Sequence, residues 1–307
     1  MRPFRFGLTA GWVSTGDAWI AMARRAEALG YDILLVPDHL GGQLSPVAAL
    51  ASAAAVTTRL RIGSHVFAND FRHPLVLARE AATLDVLSGG RLEFGIGAGW
   101  RVSDYTQLGV PYDPAGRRID RMEEAVTIIK RLFAGETVTE AGRHYRLRSA
   151  RLSPRPVQQP RPPILLGGGG PRMLRIAARE ADIVGFVPQF SAAGRPMIRQ
   201  ATEAALADKV ALVRRAAGDR FDALELNVFI ALAGMIGGGT GPLPSAVAAG
   251  LAAGAGIVRS PYLLHGTQSR LRDILERRRD RLGISYYSIP QQAMESMAPL
   301  VEDLAGR

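Results

Sequence analysis

The chain has 307 residues, of which 47% are hydrophobic and 21% charged, so its composition excludes a disordered chain and allows one large domain. It contains no cysteine, which excludes disulfides, cysteine-ligated metals and a thiol nucleophile. The formal net charge is +10 and is carried almost wholly by arginine, because Lys130 and Lys209 are the only lysines. This balance favours an anionic ligand, whereas arginines scattered over many segments, with a local run only at 277–281, disfavour nucleic acid as the partner.

Short apolar runs alternate with longer amphipathic ones along the whole chain. Strict alternation of eight strands with eight main helices predicts parallel strands joined by right-handed crossovers, and eight such units favour an α/β fold of the closed (β/α)8 TIM-barrel type. A doubly wound open sheet is the alternative, but strand one is followed by Ala10-Gly11-Trp12 rather than by a glycine-rich nucleotide fingerprint. The predicted strands cover residues 4–9, 32–36, 60–66, 91–97, 163–166, 182–187, 224–231 and 284–288. The predicted helices cover 16–29, a segment from 46, 74 to the glycines at 89–90, a segment with an apolar stripe over 119–133, a segment from 171, then 197–217, 267–282 and 291–305.

Some local signals refine this pattern. Gly30 is expected to cap the first helix, and Ser45 is expected to cap the second, with Pro46 at its first position. Two stretches break the alternation and predict insertions after strands four and seven. They are 136–162, with a hairpin over 137–147, and the glycine- and alanine-rich stretch 234–256, which is expected to be mobile. Residues 101–115 are interpreted as a polar connection.

In a (β/α)8 barrel the functional site lies at the carboxyl ends of the strands. Asp38 and His39 follow strand two directly, and imidazole titrates near neutral pH, so these two side chains are predicted to form an acid–base pair. The alternative is a loop histidine that only caps neighbouring backbone groups.

Two glycine-rich segments also follow strands. The four glycines before Pro171 allow backbone N–H groups at a helix N-terminus to approach a phosphate, with a flexible turn as the alternative. The small residues after strand four leave room for a flat ring against the backbone, with tight barrel packing as the alternative. The predicted phosphate-binding residues are Gly167, Gly168, Gly169 and Gly170. The residues predicted to contact the flat ring are Gly97, Ala98, Gly99 and Trp100.

Other function classes lack their sequence signatures. The five histidines show no metal-ligand spacing, so no metal is predicted, and no Gly-x-Ser-x-Gly elbow of a serine hydrolase is present. No cleavable signal opens the sequence, and the longest apolar run, near 226–236, is too short to span a bilayer. A cytoplasmic location without membrane attachment is therefore expected.

Five segments, taken in order, resemble the bacterial luciferase-like monooxygenase superfamily, and the stretch 271–290 places the chain closest to its F420-dependent oxidoreductase branch. The resemblance extends over the whole chain and implies a single insertion-bearing barrel domain over 1–307 that binds the deazaflavin coenzyme F420 or FMN and a small-molecule substrate. It also implies a homodimer. The segments are 4–7, 36–39, 91–100, 118–125 and 163–170.

The resemblance also assigns site residues. His39 and Asp38 are expected near the reactive part of the coenzyme ring, with His39 handling the proton. Ser64, His65 and Val66 are expected to form a bulge behind the ring, with a non-prolyl cis peptide bond at His65–Val66. The ring is expected against Gly97, Ala98 and Gly99, and the phosphate against the glycines 168–170.

Trp100 departs from the family pattern. The sugar-phosphate and alcohol dehydrogenases of the branch carry a glutamate proton donor at this place, so an alcohol-oxidising mechanism that depends on that acid is not supported. Three hypotheses follow: an F420-dependent oxidoreductase that transfers a hydride, an FMN-dependent monooxygenase supplied by a separate reductase, and a non-catalytic flavin-binding barrel.

Overall fold

A computed structural model describes residues 1–189, 197–235 and 260–307. Most of the stretch that is expected to be mobile, 234–256, lies outside these residues. The backbone contacts divide the chain into two compact units. The first unit comprises Met1–Ala10, Arg25–Ile33 and Gly167–Arg307, and the second comprises Gly11–Arg24 and Leu34–Leu166.

The elements of the described chain follow the predicted alternation closely. The strands are β1 (Arg5–Thr9), β2 (Ile33–Val36), β3 (Arg61–Ser64), β4 (Phe67–Ala68), β5 (Leu92–Gly97), β6 (Val138–Ala141), β7 (Arg146–Ala150), β8 (Ile164–Gly168), β9 (Ile183–Phe186), β10 (Glu225–Phe229), β11 (Leu232–Met235), β12 (Leu263–Gly266) and β13 (Ile284–Pro290). The α-helices are α1 (Gly16–Ala28), α2 (Pro46–Val56), α3 (Pro74–Leu87), α4 (Val102–Leu108), α5 (Ala115–Phe133), α6 (Pro171–Glu180), α7 (Glu203–Ala217), α8 (Gln268–Leu282) and α9 (Met294–Leu304).

The main sheet is built from parallel pairs. Strand β1 pairs with β13, with Gly7 opposite Ser288, and β10 pairs with both β13 and β9. Strand β5 pairs with β3, β4 and β8. The hydrogen-bonded order is β3-β2-β1-β13-β10-β9-β8-β5-β4, and β3 also pairs with β5. This cyclic order of strands is that of a (β/α)8 barrel, so the predicted fold class is confirmed.

Two predicted strands differ from the observed ones in a way that concerns the site. The third predicted strand is two short strands, β3 and β4, separated by a cis peptide bond between His65 and Val66, where the resemblance places it. The fifth is longer than predicted, because β8 continues through Gly167 and Gly168. Half of the four-glycine segment therefore belongs to a strand.

The first predicted insertion contains regular secondary structure. Strands β6 and β7 form the predicted antiparallel hairpin between β5 and β8. Strands β11 and β12 form a separate parallel pair, with Leu232 opposite Leu263, on either side of residues 236–259. This second pair has no counterpart in the sequence prediction.

Residues 101–115 are not simply a polar connection, since they contain helix α4. Gly109, at φ +73°, ends this helix, and its N–H group bonds back to the carbonyl groups of Thr106 and Tyr105. Asp104 and Tyr105 are buried although the helix is mostly polar. The helix therefore brings a carboxylate and a phenol into the interior of the second unit.

Aromatic side chains form a large part of each unit's core. In the first unit the Tyr287 ring lies 6.5 Å from Phe4 and 6.3 Å from Phe6. In the second unit the Phe94 ring lies 5.9 Å from Phe67 and 5.6 Å from Phe133. Complete burial of a side chain of this kind contributes about 1.5–3 kcal/mol.

The helix ends are partly as predicted. Gly30 follows α1 at φ +81°, which suits a glycine at this position. Pro46 begins α2 and Ser45 is at the predicted N-cap position, but the Ser45 side chain makes no capping hydrogen bond. His73, which was not predicted to cap, accepts a hydrogen bond from the Leu75 N–H at 3.2 Å. Within the described residues, every helix is too short or too polar to cross a membrane.

Candidate active site

The two adjacent residues at the end of β2 have different partners. The Asp38 carboxylate accepts hydrogen bonds from Arg72 Nη1 at 2.5 Å and from the Ala68 N–H at 3.1 Å. The side chain of Asp38 is 4% exposed, so this is a buried ion pair. Asp38 therefore joins the segment after β2 to the segment after β4 and does not face His39.

His39 is held by a carboxylate from another part of the second unit. Its Nδ1 lies 2.6 Å from Oδ2 of Asp104, which is on α4 and is 2% exposed. The other Asp104 oxygen, Oδ1, accepts from the N–H of Leu40 at 3.4 Å. The predicted pairing of His39 with Asp38 is thus wrong, because Asp38 binds Arg72 and a distant helix supplies the carboxylate that binds His39.

Trp100 packs beside His39. The two rings meet edge to face, with 5.7 Å between centroids and 87° between planes. The Trp100 carbonyl accepts a hydrogen bond from the Tyr112 hydroxyl at 2.9 Å, while the residue is 43% exposed. Trp100 therefore presents an aromatic surface to solvent next to the imidazole.

A second carboxylate cluster holds α4 in place. Tyr105 donates from its hydroxyl to Asp70 Oδ2 at 2.8 Å, and burial raises the pKa of Tyr105, so the hydroxyl stays protonated. Arg121 on α5 binds both oxygens of Asp70, at 2.7 and 2.6 Å, and also reaches Asp113 at 2.9 Å. We call these four residues, Asp70, Tyr105, Asp113 and Arg121, the α4 brace.

The glycines of β5 make room for protein atoms. A Cβ atom on Gly95 would lie 1.9 Å from the Ser64 carbonyl oxygen, and one on Gly97 would lie 2.7 Å from a Val66 methyl group. A Cβ atom on Gly99 would lie 2.1 Å from the Tyr105 hydroxyl. Protein atoms therefore adjoin the side-chain positions of these glycines, and a ring against the backbone of Gly97, Ala98 and Gly99 stays a prediction.

The bulge predicted behind the ring is tied to β2. The Ser64 hydroxyl donates to the Val36 carbonyl at 2.8 Å, and the His65 N–H donates to the same carbonyl at 3.2 Å. Val66 follows the cis peptide bond and packs against Gly95 and Gly97. The predicted residues Ser64, His65 and Val66 thus form a continuous segment of the second unit, from the end of β3, that is hydrogen-bonded to β2.

The four glycines at the end of β8 and before α6 divide into two pairs. A Cβ atom on Gly168 would lie 2.6 Å from the Met173 side chain, and one on Gly169 would lie 2.7 Å from the backbone of Pro188 and Gln189. Gly167 has a single neighbour at 3.8 Å, and Gly170, the N-cap of α6, has nothing within 4 Å. Open space therefore adjoins the start of α6, whose first N–H groups lack helical partners.

The profile of the luciferase-like monooxygenase family matches residues 5–225. The chain belongs to the luciferase-like monooxygenase family. A relative from Microbacterium testaceum, an F420-dependent glucose-6-phosphate dehydrogenase, is 37% identical over 189 residues, which cover 59% of this chain and 55% of the relative. The chain thus spans little more than half the length of that relative.

Solved structures show the same luciferase-like fold over nearly the whole chain. The coenzyme F420-dependent tetrahydromethanopterin reductase from Methanopyrus kandleri has a TM-score of 0.79 at 18% identity and covers 98% of this chain and 99% of its own. The monooxygenase RslO1 from Streptomyces bottropensis has a TM-score of 0.75 at 24% identity and covers 97% and 96%. At these identities the likeness shows the fold of this luciferase-like protein.

Asp104 and the α4 brace are the residues that sequence reasoning missed. One usable signal was present, because Gly109 followed by Pro111 marks a helix end within the stretch interpreted as a polar connection. Nothing in the sequence pairs Asp104 with His39, which is 65 positions away. Only the packing of α4 brings the two together.

Arginines near the end of α8 make contacts that stabilise the fold of this luciferase-like protein. Arg278 is 5% exposed and pairs with Glu203 at the start of α7. The Arg279 guanidinium lies 4.0 Å from the Phe4 ring centroid and donates to the Arg307 carbonyl at 2.7 Å. Within the described residues no three histidine or carboxylate side chains assemble into a metal site, and the absence of a metal stays a prediction.

Proposed function

We propose that this luciferase-like protein is an F420-dependent oxidoreductase that transfers a hydride between the deazaflavin coenzyme and a small organic substrate. The observation that carries the proposal is His39 at the end of β2, held at Nδ1 by the buried Asp104 carboxylate. Such an imidazole can take up or deliver a proton at its other nitrogen. The choice of F420 is supported by the name of the Microbacterium relative.

The start of α6 fits the phosphate of such a coenzyme. Gly170 leaves open space where other residues would place a Cβ atom, and α6 directs the positive end of its dipole there. In the proposal, the backbone of the glycines 167–170 holds the phosphate. The net charge of +10 supports attraction of an anionic coenzyme.

The residues of the second unit are assigned to the ring. The bulge of Ser64, His65 and Val66 and the backbone of Gly97, Ala98 and Gly99 would support it. When bound, the deazaflavin supplies the hydride chemistry, and the protein supplies orientation and proton handling. His39 would exchange the proton, and Trp100 would limit access of water beside it.

Glucose 6-phosphate is not carried over as the substrate. The chain has Trp100 where the resemblance implies a glutamate proton donor, so His39 is the group left to handle the proton. We extend the proposal to a homodimer in the cytoplasm, as the resemblance and the sequence suggest.

The test is a titration of the apo-protein with F420 and, separately, with FMN, followed by cofactor fluorescence. Saturable binding of F420 alone supports the proposal, and binding of FMN alone supports a monooxygenase with a partner reductase. Gly170→Ala should fold normally and bind F420 about tenfold more weakly, or ~1.4 kcal/mol, because the methyl group occupies the space at α6. Binding of neither coenzyme would overturn the proposal.

His39→Ala tests the proton role. It should bind F420 as the wild type does but lower the rate of hydride transfer by roughly 10²–10⁴-fold, the usual contribution of a positioned acid or base. Normal turnover by this variant would remove His39 from the mechanism.

A further inference from the structure

The connection between β5 and α5 contains helix α4, which was not predicted. Asp104 on this helix contacts His39, and Tyr105 on the same helix belongs to the α4 brace. We propose that Asp104 is the positioning residue of His39, fixing the imidazole with its Nδ1–H toward Asp104 and presenting Nε2 to the substrate. The inference rests on the proposed function only where it is tested by turnover.

The contact has the geometry of a charge-assisted hydrogen bond. The distance between Nδ1 and Oδ2 is 2.6 Å, and the Asp104 side chain is 2% exposed. Among the described residues, the hydrogen-bond partners of the Asp104 carboxylate are His39 Nδ1 and the Leu40 N–H. A buried carboxylate is costly without donors, so it selects the tautomer with the proton on Nδ1. Nε2 then carries the lone pair.

The neighbouring residue fixes the helix that bears Asp104. Helix α4 has seven residues and would not persist alone in water. Tyr105 binds Asp70, and Arg121 closes a two-point ion pair on the same carboxylate. Asp113 binds the free arm of Arg121. The brace therefore holds the Asp104 carboxylate at a fixed place relative to the end of β2.

This arrangement defines the proton balance of the proposed reaction. The bound coenzyme would supply the hydride chemistry, and His39 Nε2 would accept the O–H or N–H proton that the same substrate releases as its C–H bond breaks. The imidazolium that forms is stabilised by the Asp104 carboxylate, and the reverse reaction returns the same proton. A carboxylate that orients a histidine without taking its proton acts in this way in other enzymes.

The experiment compares the wild type with Asp104→Asn, which keeps the size of the side chain and removes its charge. In the apo-protein, ¹H–¹⁵N spectra of the histidine rings at alkaline pH should show the Nδ1–H tautomer of His39 in the wild type. In the variant they should show a shift toward Nε2–H, since an amide can donate to Nδ1. This readout needs no coenzyme and no substrate.

The turnover readout separates positioning from folding. Asp104→Asn should lower kcat roughly ten- to a hundredfold and alter its pH profile, while coenzyme affinity changes less than about twofold. Asp104→Ala should regain activity with added formate. Ser103→Ala, an exposed change on the same helix, is the matched control and should leave both readouts unchanged.

The outcomes are distinct. An unchanged tautomer in Asp104→Asn overturns the inference, as does a loss of activity that follows a proportional loss of coenzyme binding. If neither coenzyme binds the wild type, the proposed function fails, and the tautomer measurement still decides the role of Asp104.

Discussion

Three alternate glycines on β5 and after it show how single residues define the space around the candidate site. Gly95, Gly97 and Gly99 face Ser64, Val66 and Tyr105, and each would meet a neighbouring atom through a Cβ. Gly99 also adopts φ +73°, which favours glycine on backbone grounds alone. Glycine is therefore required at position 99 for two reasons, the local backbone conformation and the space that the Tyr105 hydroxyl occupies.

Gly99→Ala and Gly109→Ala separate these two requirements. Both glycines have φ +73°, but a Cβ on Gly109 has nothing within 4 Å. Gly109→Ala should cost about 1 kcal/mol of unfolding free energy from left-handed backbone strain. Gly99→Ala should cost roughly 1–3 kcal/mol more, because it displaces the Tyr105 hydroxyl from Asp70. Denaturant unfolding of both variants measures the difference, and equal losses would show that Tyr105 adjusts freely.

At the scale of elements, α4 owes its place to side chains on α5 and on the segment after β4. Asp70 is 4% exposed and depends on Arg121 for charge compensation, whereas Arg117 reaches Asp113 from an exposed position. The same carboxylate cluster thus includes a buried ion pair, Arg121–Asp70, and a surface ion pair, Arg117–Asp113. Their contributions to stability should differ widely.

Arg121→Met should destabilise the protein by roughly 3 kcal/mol, because it leaves the buried Asp70 carboxylate without its cation. Hydrogen exchange should accelerate most at the amides of α4. Arg117→Met is the matched control on the same helix; its side chain is 64% exposed, and the change should cost at most about 0.5 kcal/mol. Uniform exchange across the second unit in Arg121→Met would contradict a specific link between Arg121 and α4.

At the scale of the whole molecule, one buried lysine makes stability depend on pH. Lys209 lies on α7 in the first unit and donates to the Tyr262 hydroxyl at 2.9 Å and to the Val187 and Gln200 carbonyl groups at 3.1 and 3.3 Å. Burial lowers the pKa of Lys209 from 10.5 to about 8. Between these values the unfolded chain binds a proton that the folded chain does not, so folding is favoured as the pH rises.

Lys209→Met should remove this dependence. The difference in unfolding free energy, wild type minus variant, should increase as the pH rises from about 8 toward 10.5, the pKa range of the folded and unfolded states. Tyrosines that titrate in the same pH range are present in both proteins, so their effect cancels in the difference between the two unfolding free energies. The hydrogen bonds lost in the variant change its unfolding free energy by an amount that does not depend on pH. Denaturant unfolding that gives the same free-energy difference at every pH in this range would therefore contradict the prediction.

The alternation of apolar runs determined the barrel without help from distant contacts, because parallel strands and crossover helices each leave a local period in the sequence. It also located His39 and the four-glycine segment at strand ends, since chain order places every strand end at the same rim. The cis bond at His65–Val66 came from family resemblance, because no local period encodes a peptide isomer.

The tertiary structure alone decided what the side chains do. It assigned Asp38 to Arg72 and Asp104 to His39. It also placed Val66 beside Gly97 and Tyr105 beside Gly99, and it left Gly170 open. The physical reason is that a carboxylate goes to the cation or imidazole that packing brings within hydrogen-bond distance. Such a partner lies on another element, tens of residues away, and leaves no periodic signal in the sequence.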